Sequence, residues 1–174
     1  MDNKIINITG IHNKPIKKEK EIKKRVQSEK WEFPDDYYEH TKQMNLIIDI
    51  SNGNLTDYVS KIMVNEISKK ISSYKQQDKL KKKLDISKFL TLRSVIDKMI
   101  DCELKCRYCK NLMDVLYDIS REMKQWSVDR IDNDLGHNID NYHLACLECN
   151  LKRRRRTDEK FLFTKQLVII KQDN

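Results

Sequence analysis

The sequence predicts an α+β protein: a mainly helical N-terminal part, a short two-stranded unit stapled by cysteines, and a C-terminal helix. Three observations carry this prediction. Apolar residues between Leu55 and Ile100 recur at three- and four-residue steps, the pattern of helices with one buried face. Apolar and polar residues alternate around Asp129 and again over Tyr142, Leu144 and Cys146, the pattern of half-buried strands. Four of the five cysteines fall into two C-x-x-C pairs, Cys106/Cys109 and Cys146/Cys149.

Residues 1–50 read as a basic, weakly structured extension. Ile5, Ile6, Ile8 and Ile11 suit a strand, Lys14 to Lys30 is mostly charge, and Trp31, Phe33, Tyr37 and Tyr38 form an aromatic patch around Pro34. Residues 51–101 read as a helical segment. Asn52-Gly53-Asn54 supplies a turn and cap before Leu55, Tyr58, Val59, Ile62, Met63, Ile67, Ile71 and Tyr74. Gln76 to Lys83 reads as a basic break, and Leu92, Val95, Ile96, Met99 and Ile100 then form a second helix behind Thr91.

Residues 102–157 read as the stapled core. Leu112 to Ile119 suits a short helix or strand; Trp126, Val128 and Ile131 mark one strand, and Tyr142, Leu144 and Cys146 a second. The turn-rich loop Asn133 to Asn138 makes the two strands a hairpin. Leu147 to Arg155 is expected to be helical. Residues 158–174 read as the C-terminal helix, started at Thr157-Asp158-Glu159 and carrying Phe161, Leu162, Leu167 and Ile169.

With 35 Lys and Arg against 27 Asp and Glu, the 174-residue chain carries a formal charge of +8. The excess sits in Lys14 to Lys30, Lys79 to Lys83 and Lys152 to Arg156, so a polyanion is the natural partner. The first two runs also suit solvated faces, being mixed with glutamate or lying at a helix boundary. The third follows directly on a cysteine pair. No apolar stretch approaches the roughly 18 residues that a membrane span requires, and Met1 to Gly10 lacks the features of a signal peptide. The expectation is a soluble, intracellular protein of the cytoplasm or nucleus, with no membrane partner.

In such a reducing compartment, paired cysteines point to metal rather than disulfides. The two-residue spacing lets each pair place two thiolates on one tetrahedral zinc at about 2.3 Å. Four thiolates leave no open position, so this zinc would be structural. It would hold together the ends of the 36-residue segment between Cys109 and Cys146. A redox dithiol is the other use of a C-x-x-C pair, but no strand-to-helix redox context surrounds either one. Cys102 reads as an ordinary small residue near a helix end.

The order Cys-x-x-Cys, Val128-Asp129-Arg130-Ile131-Asp132, a loop containing Gly136, Asn141-x-x-Leu144-x-Cys146 and Cys149-Asn150 followed by basic residues resembles the HNH, or His-Me finger, endonucleases stapled by four cysteines. The resemblance covers about Leu92 to Thr157. It implies a ββα-metal core, a β-hairpin packed on a helix with one divalent ion between them. Asp129 and Asn150 would ligate that ion, and Asn141 would brace the loop and the catalytic residue beside it. Oxygen donors suit Mg(2+) or Mn(2+) while the thiolates select zinc, so the two metals need not compete. The run Lys152, Arg153, Arg154, Arg155 and Arg156 lies where the family helix meets the sugar-phosphate backbone. About three of its charges can face one side of a helix.

One departure from the family pattern matters. Family members usually carry a histidine after the aspartate as general base, and here Arg130 stands in its place. Arginine stays protonated at neutral pH and cannot act as a base, although it can clamp a phosphate bidentately. His143 on the second strand, His137 in the loop and Asp132 are the candidate substitutes, each of which also suits a purely structural role. The expected function is metal-dependent hydrolysis of phosphodiester bonds in DNA, with RNA as an alternative partner and a homodimer if both strands are cut. The competing expectation is a catalytically impaired, zinc-stapled nucleic-acid-binding module. A third reading gives the N-terminal helices a protein-binding role and predicts no salt-sensitive binding to DNA.

Overall fold

The computed structural model describes residues 23–167. Ile5, Ile6, Ile8, Ile11, Ile169 and the first part of the Lys14–Lys30 run lie outside the described residues. Three helices precede the hairpin: α1 (His40–Ser51), α2 (Tyr58–Leu80) and α3 (Leu92–Asp101). The hairpin strands are β1 (Trp126–Arg130) and β2 (Tyr142–Cys146), followed by α4 (Leu147–Arg153) and α5 (Asp158–Gln166). The architecture is therefore mixed, with helices around one two-stranded antiparallel sheet. Among the described residues no helix is long and apolar enough to cross a membrane.

The three helices pack on one another through Leu46, Ile47 and Ile50 of α1, Val59, Met63 and Ile67 of α2, and Val95, Ile96 and Met99 of α3. Their caps follow from sequence. The Asp57 carboxylate accepts the Val59 N–H at 3.1 Å, and Thr91 and Ser94 cap α3 reciprocally. Helix α1 corrects the expectation of a weakly structured extension through residue 50, because Gln43, Leu46, Ile47 and Ile50 are buried on one face. A glutamine in that stripe obscures its period, and the structure explains it. The Gln43 Oε1 atom accepts the N–H groups of Val115 and Leu116 at 2.7 and 2.9 Å, and its Nε2 donates to the Tyr38 carbonyl at 3.0 Å.

That same contact corrects the expectation of a short helix or strand over Leu112 to Ile119. The backbone there bonds to a side chain, and only isolated bridges form, Lys105 with Leu112, Asp114 with Gln125 and Ile119 with Lys24. The segment ahead of the described α1 is tied down too. Arg25 donates to Glu66 at 2.6 Å and to the Tyr117 carbonyl at 3.0 Å, and Trp31 stacks on Phe33 at 5.6 Å.

The hairpin pairs Trp126 with Cys146, Val128 with Leu144 and Asp129 with His143. Helix α2 closes the open edge of β1, since Tyr74 Oη accepts the Val128 N–H at 3.0 Å and the Lys70 ammonium donates to the Trp126 carbonyl. Instead of breaking at Gln76, α2 continues to Leu80 and carries Asp78 into the hairpin loop. No breaker residue stands in Gln76–Leu80, and the fully buried Asp78 carboxylate accepts the His137 N–H at 2.6 Å and lies 2.8 Å from His137 Nδ1. The His137 ring also stacks on Tyr74 at 4.6 Å.

Gly136 permits this docking. A Cβ there would lie 2.4 Å from the Lys83 carbonyl oxygen and 2.9 Å from the Asp78 carboxylate. Gly136→Ala should therefore cost about 1–3 kcal/mol as an overpacked contact against backbone. Urea unfolding at matched metal content measures this, with an unchanged midpoint showing that the loop does not depend on the close approach.

Candidate functional site

The four cysteine sulfurs of the two pairs lie within 4.8 Å of one another, with Cys109 and Cys146 Sγ 3.9 Å apart. A tetrahedral zinc with 2.3 Å bonds needs sulfurs about 3.8 Å apart, so the set can hold a structural metal such as zinc. Cys106 and Cys149 are fully buried, Cys146 nearly so. Cys106, Cys146 and Cys149 ionise at one another's expense. The Cys146 S–H and nearby amides hold Cys106 far below the usual thiol range, the Cys106 partner pushes Cys146 up, and burial pushes Cys149 up. Cys102 lies outside the cluster as the C-cap of α3.

On the hairpin, Asp129 and His143 are direct cross-strand partners, so their side chains share one face. Helix α4 packs on both strands and brings Asn150 and Arg153 to Asp129 and its neighbours. Asp129 is buried, with Oδ1 2.6 Å from the Arg153 guanidinium and Oδ2 accepting the Tyr108 hydroxyl at 2.6 Å. Arg153 is only 1% exposed and donates further to the carbonyls of Arg130 and Ile131. This corrects its expected place in a row of phosphate contacts. It lies at the end of a short helix on the hairpin side, and burying its charge is compensated by one carboxylate and two carbonyls.

Burial pushes the Asp129 carboxyl above its ordinary value, against the pull of Tyr108 and Arg153. The Asn150 amide nitrogen donates to Ser127 Oγ at 3.1 Å and to the Val128 carbonyl at 3.2 Å. As held, Asp129 and Asn150 do not fit the expected Mg(2+) or Mn(2+). The carboxylate is already neutralised by a buried guanidinium that would repel a second cation.

Asn141 braces the loop from within: its Nδ2 donates to the carbonyls of Asp132 and Gly136 at 3.0 Å, and its Oδ1 accepts the Asp132 N–H at 2.9 Å. The Arg130 guanidinium donates to the Asn133 and Leu135 carbonyls at 3.3 and 2.9 Å. Asp132 Oδ1 accepts the Asp134 N–H and caps the turn, and His137 is buried against Asp78 and Tyr74. Among the three candidate bases, His143 alone lines an open cleft. That cleft, of about 370 Å³, also holds Lys98, Lys105, Arg107 and Lys110, together with Asp101 and with Glu103, which pairs with Lys105.

His143 Nε2 lies 3.7 Å from Asp158 Oδ2, and Asp158 is held by the Tyr108 hydroxyl at 2.8 Å and by Arg107 at 3.6 Å. Burial lowers the His143 pKa below its ordinary 6.5, with Arg107 and Lys98 acting in the same sense and Asp158 against them. Sequence reasoning missed Arg107, Tyr108 and Asp158. The first two are the variable residues of a C-x-x-C pair, and Asp158 reads as an ordinary acid in the first turn of a helix.

In the basic run, Lys152 pairs with Glu148 and Arg156 lies over the Phe161 ring at 4.8 Å. Arg154 and Arg155 are exposed. Comparison with protein-family models, with curated proteins and with solved structures gives no match.

Two predictions follow from these contacts. Metal analysis should find one zinc per chain, and Cys106→Ser or Cys149→Ser should lose the metal and cooperative unfolding together. Zinc affinity should also weaken as pH falls, because protons compete for the thiolates; full folding in excess chelator would refute the staple. Arg153→Met should cost about 3–5 kcal/mol by leaving Asp129 buried and unpaired, and the Asp129→Asn, Arg153→Met double variant should recover much of that loss. A denaturation cycle reads the coupling, and additive losses would refute it.

Proposed function

We propose that this protein is an endonuclease of the HNH type that hydrolyses phosphodiester bonds in DNA, on a scaffold closed by a four-cysteine zinc site. The observation that carries this reading is His143. Its imidazole has a pKa lowered by burial, stands across the hairpin from Asp129, and opens into a cleft where Lys98, Lys105, Arg107 and Lys110 outnumber Asp101 and Glu103. A base must be neutral to accept a proton, and the surrounding cations would draw in a phosphodiester.

In this reading His143 takes a proton from water, whose oxygen attacks phosphorus while the P–O bond to the leaving oxygen breaks, and that oxygen departs with the bonding pair and takes a proton from solvent. Asp158 offsets the charge that develops on the imidazole, and Tyr108 fixes Asp158 against Asp129. Arg107 meets a phosphate oxygen. A Mg(2+) or Mn(2+) ion joins this reading only if Arg153 leaves Asp129, and no step here depends on it. Arg130 has its guanidinium on loop carbonyls and serves to shape the site.

A nucleic-acid-binding module without catalysis is the second reading, favoured by the engagement of both Asp129 oxygens. Supercoiled plasmid separates the two, incubated with Mg(2+), with Mn(2+) and with neither. Wild type is expected to nick it, and His143→Ala to slow nicking about 10²–10⁴-fold, the usual contribution of a general base. The rate should be level at and above neutral pH and fall on the acid side, as His143 becomes protonated below its ordinary value. Plasmid left intact under every condition, while still retarded in a gel, would establish the binding module instead.

A further inference from the structure

The tertiary structure brings the end of α2 to a second, separate cluster of cations. A cleft of about 620 Å³ is lined by Lys81, Lys83, Arg130, Arg154 and Arg155, with Asn133 and Asp134 at its loop side. Among the described residues one ion pair reaches into it, Lys83 with Asp134 at 3.8 Å, on a carboxylate that is 99% exposed. Several other surface cations carry an acid partner close by, as Lys42 does with Asp36, Lys69 with Glu66 and Lys152 with Glu148. Like charges gathered without acids repel one another, and an anion in the cleft relieves that repulsion.

The walls of the cleft are held in place. The Lys83 ammonium donates to the Asn133 carbonyl at 2.7 Å and Arg130 donates to the same oxygen, while Asn133 Nδ2 reaches the Arg154 carbonyl at 3.4 Å. Gly136 allows the hairpin loop to meet the Lys83 backbone, which fixes the end of α2 against the loop. Arg154, the C-cap of α4, has φ 54°, a left-handed backbone in a residue with a Cβ. Arg154 also lines a further cleft, of about 870 Å³, together with Lys152, Arg156 and Lys165. The two clefts thus share one lining side chain, and their combined space exceeds what a single phosphate group fills.

We propose that Lys81 and Lys83 bind the phosphodiester backbone of duplex DNA together with Arg130, Arg154 and Arg155, as a clamp beside the hairpin loop and distinct from the His143 cleft. This assignment rests on the nucleic-acid reading above. The contacts would be made to phosphates, so they would anchor the duplex without selecting sequence.

The test is fluorescence anisotropy of a labelled duplex over a NaCl series. It compares wild type, Lys81→Ala/Lys83→Ala, and a control, Lys61→Ala/Lys75→Ala, that removes two exposed charges of α2 outside the cleft. Loss of two phosphate contacts should lower the magnitude of the log K against log salt slope by about 1.8, at about 0.9 per contact, with the control at the wild-type slope. Orthophosphate at matched ionic strength should compete no better than chloride. An unchanged slope in the cleft variant, or one equal to that of the control, overturns the clamp. So does selective displacement by orthophosphate, which would mark a small-anion site. Wild type that shows no salt-dependent binding removes the nucleic-acid reading itself; wild type that binds steeply beside an unchanged cleft variant removes the clamp alone.

Discussion

The buried ion pair between Asp129 and Arg153 sets the terms for everything around it. A guanidinium 1% exposed and a carboxylate 5% exposed each lose several kcal/mol of hydration, which a 2.6 Å contact offsets only with further bonds. Those bonds come from the Tyr108 hydroxyl on one side and from the Arg130 and Ile131 carbonyls on the other. The pair therefore fixes how α4 lies on the hairpin, and through Tyr108 it fixes the Cys106–Cys109 segment and the start of α5. It also decides the charge of the site: Asp129 comes already compensated, which leaves His143 and Arg107 facing the open cleft, with Asp158 buried beside them.

Around that pair two constraints hold the hairpin from opposite ends. At one end the cysteine cluster gathers Cys106 and Cys109 with Cys146 and Cys149, so the end of β2 and the start of α4 are closed against an irregular segment that has little regular hydrogen bonding of its own. At the other, Asp78 and His137 bury a polar contact between α2 and the loop, in a space that only a glycine at 136 leaves open. A two-stranded hairpin is marginal alone. Here the exposed edge of β1 is satisfied by Tyr74 and Lys70, so the long α2 helix is part of the same folded unit as the hairpin.

That arrangement gives the charge excess a geometry. Acid partners quiet much of the basic surface, yet two clefts still gather more cations than acids: one around His143, the other where α2, the loop and the end of α4 meet. In the proposed reading a polyanion would meet the His143 imidazole in one and the cations around Lys81 and Lys83 in the other. In the proposed function, proton chemistry and anchoring thus fall to different residues.

Much of the fold was legible because it rests on local periodicity. Alternation marked both strands and their pairing, Thr91 marked the start of α3, and cysteine spacing marked the four sulfurs that converge. Helix α1 was harder to see because Gln43 occupies a buried position, and the end of α2 because Asp78 has a partner 59 residues away. Charge taken alone could not separate Arg153 from Arg154 or Arg155, since a basic run looks uniform until a neighbour buries one member. Nor could it tell Lys81 and Lys83 from a solvated face. The sequence by itself determined the start of α2, helix α3, the two strands and which thiols come together, since these depend on near neighbours and residue type. Only the tertiary structure decided that Arg153 turns inward, that Tyr108 and Asp158 join His143, and that the end of α2 completes a cationic cleft, because each needs groups from distant segments to meet at hydrogen-bonding distance.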